Sequence, residues 1–170
     1  EPTLHCRFDR VLAAETGQKP AVSEGVELIA GREGQAALVS RPAVLTYPTE
    51  GFHPEAFTIS FWVRHDKPLA DHFFQQLTYF YHETPDMKNR IGILKRSGTN
   101  DFVFFFSNDE GRAKGVNMAD DWFAMTSPPM KWEAGTWHHV VCTADKSQGI
   151  AQFFIDGVKV GEARGTQFPE

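Results

Sequence analysis

Sustained helix signals, metal-ligand spacings and basic clusters are all missing from this 170-residue sequence. No segment keeps an apolar period near 3.6 residues between capping residues, so helix content should be small. No apolar run approaches the roughly 18 residues of a membrane helix; FVFFF at 102–106 is only strand-sized. With 17 Lys and Arg against 22 Asp and Glu, the formal charge is −5. That balance leaves no basic stripe for nucleic acid or an anionic membrane. Cysteine is scarce: Cys6 and Cys142 suit either one bridge in an oxidising compartment or two buried thiols in a reducing one. G-x-S-x-G, H-E-x-x-H, C-x-x-C and phosphate-loop motifs are absent, which removes the common hydrolase, zinc and nucleotide signatures.

What is abundant is aromatic. Rings make up 13% of the chain and 15 of them are Phe, a usage that suits sheets, where rings pack on pleated surfaces. The alternation predicts short strands at Leu4–Asp9, Val26–Ile29 and Ala36–Val39, then at residues 57–64, 75–83, 90–96 and 101–108. In FTISFWVR (57–64), Phe57, Ile59, Phe61 and Val63 form one face, and Thr58, Ser60, Trp62 and Arg64 the other. Residues 109–132 read as a long irregular segment, of the kind that is usually functional. Short strands spaced by turn residues indicate an all-β sandwich or barrel. The length suits one domain, 1–170.

The stretch GTWHHVVCTADKSQGIAQFFIDG (135–157) concentrates two His, a Cys and two Asp. On a strand, His138 and His139 point to opposite faces and cannot share a metal. Val140, Cys142 and Ala144 share an apolar face; DKSQG (145–149) closes a hairpin; Phe153 and Ile155 return inward and Gln152, Phe154 and Asp156 outward. Asp156-Gly157 has the chemistry of a tight turn into VKVGEA (158–163). The cluster is mainly architecture.

Those residues carry a resemblance. WHHVVCTAD with IAQFFIDG resembles the W-H-H-V-A and L-Y-V-D-G signature of laminin G-like domains, and also the pentraxins, both of the concanavalin A-like lectin/glucanase superfamily. FTISFWVR is similar to the family's F-T-I-S-x-W-V strand, and LHCRFD with GREGQAALV resembles its opening. The resemblance implies an all-β jelly-roll β-sandwich of two antiparallel sheets, with its final strands expected beyond residue 170, in a module of a longer extracellular or secreted protein (a bacterial periplasm or cell surface included). Ser60 stands where pentraxins place a bridging cysteine, so that bridge cannot form.

The implied chemistry is of two kinds. A structural calcium would use Asp9, at the family's Phe-Asp position, or Asp120 and Asp121, with Asn117 and the Asp109-Glu110 pair as further oxygen donors. A polysaccharide or other glycan would use the outward face of three neighbouring strands: Trp62, Arg64, His139, Gln152 and Phe154, with Trp122, Phe123 and Trp132 as a rim, although Trp132 and Trp137 also read as packing residues flanking the GTW turn. Rings stack on sugar faces and polar groups bind hydroxyls. Hydrolases of this fold carry E-x-D-x-x-E on one strand, which this sequence lacks; an enzyme here would need a dispersed carboxylate pair. The expected function is thus non-catalytic carbohydrate binding, with protein interaction or adhesion as its rival and other domains of the same chain as partners.

Overall fold

The structure is a computed structural model that describes residues 2–40, 42–86, 89–108, 123–166 and 168–169, with Phe123 described by its backbone alone. It contains two compact units, Glu1–Phe52 and His53–Glu170.

In the first unit, Glu27–Ala30 (β1) and Gln35–Leu38 (β2) pair antiparallel, from Glu27↔Leu38 to Ala30↔Gln35. Their turn depends on glycine. Gly34 has φ 68°, and a Cβ there would lie 2.0 Å from Asp9 Oδ1. The Gln35 N–H donates to that same Asp9 oxygen at 3.1 Å. The expected strand at Leu4–Asp9 is not formed. Phe8 and Arg10 have φ of 60° and 80°, and this left-handed backbone breaks the alternation that a strand needs. Asp9 thereby turns back onto the GREG turn.

The second unit contains Ala56–Arg64 (β3), a 3-10 turn at Leu69–His72, Leu77–Glu83 (β4), Arg90–Lys95 (β5), Phe102–Ser107 (β6), Phe123–Thr126 (β7), Trp137–Asp145 (β8), Ile150–Ile155 (β9) and Val158–Arg164 (β10). Two four-stranded antiparallel sheets result, ordered β10-β9-β8-β3 and β4-β5-β6-β7. β7 corrects the expectation of an irregular segment throughout 109–132. Its four residues lack a strong pattern of their own and are recruited by pairing with β6, from Val103↔Thr126 to Phe106↔Phe123.

The inner faces meet through aromatic rings. Phe57 of β3 approaches Phe104 and Phe106 of β6 edge-on, at 6.3 and 6.4 Å, and Phe104 meets Phe153 of β9 at 6.3 Å. Val140, Cys142 and Ala144 are buried between them, with Ala151, Phe153 and Ile155. Edge-to-face geometry suits the ring quadrupole. Strict alternation on β8 and β9 therefore commits one face to the core and leaves the other to solvent. Asp156 and Gly157, at φ 52° and 79°, make the two-residue turn that joins β9 to β10.

Candidate functional site

The outer face of the β10-β9-β8-β3 sheet gathers five of the residues expected from the sequence: Trp62, Arg64, His139, Gln152 and Phe154. Register places Trp62 opposite His139 and Arg64 opposite Trp137, while Val141 faces Phe154 and Thr143 faces Gln152. Trp62 and His139 stack, 4.7 Å between centroids and 14° between planes. The His139 ring shares a 2.9 Å hydrogen bond between its Nε2 and Ser60 Oγ. With one indole face on His139 and β3 at the end of the sheet order, Trp62 still keeps 44% of its surface exposed. The Arg64 guanidinium lies 4.9 Å from the Trp137 ring centre, a cation–π contact that fixes the end of the row.

Both carboxylates on this face are hydrogen-bonded. Glu162 accepts from Gln152 Nε2 at 3.0 Å and from Lys159 Nζ at 2.8 Å. Asp145 accepts from Ser147 Oγ at 2.6 Å and from Gln148 Nε2 at 2.8 Å. The Lys159 hydrogen bond lowers the Glu162 pKa, and the Ser147 hydroxyl does the same for Asp145.

The opposite side of the same sheet tells the two histidines apart. His138 turns inward, donating from Nδ1 to Asp156 Oδ2 at 2.8 Å and stacking on Trp132 at 4.1 Å and 6°. Trp132 is 4% exposed, so it packs beneath the sheet and does not form a rim, which decides for the packing role over the rim. Its loop position hid this, because no strand alternation assigned its side. Trp122, Asp120 and Asp121 lie outside the described residues, as do Asn117, Asp109 and Glu110. Sequence reasoning also passed over Ser60, Thr58 and Thr143 as site residues, although the alternation that exposed Trp62 exposes them too.

Asp9 sits in the first unit. Besides the Gln35 N–H, its carboxylate pairs with Arg7 at 3.2 Å, and Arg10 lines the same shallow depression. The Arg7 guanidinium already pairs with both carboxylates of this depression, Asp9 and Glu15, so a calcium ion there would have to displace it. Among the described residues no three His, Cys, Asp or Glu side chains converge to hold a metal. Both cysteines are free thiols; burial raises the Cys142 pKa, and the thiol packs as a small apolar group.

Residues 40–170 match a laminin G family model whose description is the concanavalin A-like lectin/glucanases superfamily, and the chain belongs to that family. Among solved structures it resembles domain 4 of AbnA, a GH43 extracellular arabinanase from Geobacillus stearothermophilus, in complex with arabinotriose. That likeness has a TM-score of 0.69 at 16% identity and covers 98% of this chain and 76% of the other. It also resembles the binding domain of Paraclostridial Mosquitocidal Protein 1, with a TM-score of 0.62 at 12% identity over 91% of this chain and 39% of that one. At these identities the likeness is one of fold. No curated protein sequence matches the chain.

Proposed function

We propose that this chain is a non-catalytic carbohydrate-binding module of a secreted, multidomain protein. One observation carries the reading: a tryptophan that keeps 44% of its surface exposed is braced on one face by His139, whose ring is in turn held by the Ser60 hydroxyl. An aromatic plane beside fixed polar groups is what a sugar ring requires, with C–H groups on one face and hydroxyls around the edge. The arabinotriose complex of the similar AbnA domain supports the same ligand class. Binding is tested by retention on insoluble and soluble polysaccharides, with calcium and with chelator, for the wild type, Trp62→Ala and Phe154→Ala. Loss of retention by at least tenfold in both folded variants is expected. Unchanged retention in both would move the site off this face.

A second reading, a protein-interaction module, is favoured by Phe73 and Phe74. Phe74 is 84% exposed and meets Phe73 edge-on at 4.9 Å. Exposed rings in a pair are unusual without a partner. Retention on no polysaccharide of the panel, by a folded wild type, would favour this reading.

A further inference from the structure

Four residues along the strands from Trp62, the same face carries a second zone whose outward side chains include no aromatic ring; Phe57 borders it, with its ring turned to Phe104 and Phe106 in the core. Thr58, Thr143, Asp145, Gln148, Ile150 and Gln152 line a shallow depression there. Thr58, Thr143, Gln152 and Glu162 occupy one cross-strand row, as Trp62 and His139 occupy another. At the rise of an extended strand the two rows are about 13 Å apart. Ser60, Val141 and Phe154 form the row between, an apolar floor with one hydroxyl. Among the described residues, neither the Thr58 nor the Thr143 hydroxyl has a protein hydrogen-bond partner, and Gln152 uses only its amide nitrogen.

Charge narrows the ligand. Every charged side chain that these four strands turn to the outer face is already engaged. Arg64 lies over Trp137; Lys159 and Arg164 sit 2.8 and 3.7 Å from Glu162; Asp145 is held by Ser147 and Gln148. An anionic sugar beside the Thr58 row would have to compete with Glu162 for Lys159 and Arg164, and the other cation, Arg64, stands beyond Trp62 over the Trp137 ring. A neutral one needs only the ring and the free hydroxyls.

Resting on the carbohydrate-binding reading, we infer that the ligand is a neutral oligosaccharide stretch lying lengthwise along β3 and β8. One sugar stacks at Trp62, and a later sugar hydrogen-bonds at Thr58, Thr143 and Gln152. Recognition is then of chain length and not of a single terminal sugar, because the two zones cannot be filled by one ring.

Calorimetric titration of the purified chain with mono-, di-, tri- and pentasaccharides of arabinan, xylan and cellulose tests this, with polygalacturonate and heparin as charged probes. Affinity should rise at least tenfold with length in one neutral series and then level off, and the charged polymers should bind more weakly. Gln152→Ala, alone and with Thr143→Val, should remove the gain in affinity that the longer sugars show over the shortest binder. Trp62→Ala should weaken every length. Equal affinity for a monosaccharide and its pentasaccharide would overturn the lengthwise assignment while leaving carbohydrate binding intact; so would tighter binding of the charged polymers, or full length dependence in the Gln152 and Thr143 variants. Failure of every glycan at every length would overturn both.

Discussion

Asp156 and His139 are joined twice: the His139 N–H donates to Asp156 Oδ1 at 2.8 Å, and the Asp156 N–H donates to the His139 carbonyl at 2.8 Å. The other carboxylate oxygen takes the His138 ring. One turn residue therefore fixes both histidines of the WHHVV strand, His138 toward the core and His139 toward Trp62. The motif that first suggests a reactive cluster is the device that orients the outer face.

Asp156→Ala should destabilise the chain by about 2–3 kcal/mol, since it removes a charged acceptor from two donors and puts a Cβ-bearing residue without a local hydrogen bond at positive φ. Asp156→Asn should recover part of this, because Asn tolerates that backbone and keeps one acceptor oxygen. Urea unfolding of the three proteins checks it; equal midpoints would refute the role given to this carboxylate.

Lys95 is fully buried, and its Nζ donates to the carbonyls of His72, Phe73 and Gln75. Lys95→Met keeps the length of the side chain and leaves those carbonyls without their donor, at a cost of about 3 kcal/mol. Amide exchange should quicken in the 72–76 loop that displays Phe74. A loop unchanged in exchange and a chain unchanged in stability would show that Lys95 is not its anchor.

His65 supplies a pH dependence. Burial first, then the neighbouring His72 and His138, lower its pKa from 6.5 to about 4, against an opposing pull from Asp66. Its ring shares a 3.0 Å hydrogen bond with Tyr79 and is kept neutral. A folded pKa below the unfolded value means that the unfolded chain takes up the proton first as pH falls. Stability from this group is complete above about pH 6.5 and is lost toward pH 4. Burial of His82 acts in the same direction. Urea midpoints between pH 7.5 and 4 should fall for the wild type and fall less for His65→Leu. A flat wild-type profile would contradict the assignment.

Much of this was legible in sequence because strands alternate with period two. FTISFWVR and WHHVVCTAD each declared which side faces the core, and the outer five residues followed once the strands were neighbours. What alternation cannot supply is strand order beyond a hairpin. The row Thr58, Thr143, Gln152 and Glu162 draws on four strands, and only pairing shows that it is a row. Loops gave no side at all, so Trp132 looked available for a rim while its ring lies under His138. At Leu4–Asp9 a good alternating pattern was overridden by positive φ at Phe8 and Arg10, which directs Asp9 onto Gly34. β7 formed without a pattern because β6 offered it an edge.

The most direct test of the central claim is a map of backbone amide shifts during titration of the isotope-labelled chain with the best-bound glycan of the polysaccharide panel. The account predicts that the largest changes fall on the outer residues of β3, β8 and β9, from Trp62 and His139 to Thr143 and Gln152. Changes confined to the Phe73–Phe74 loop or to the first unit, with that face silent, would contradict it.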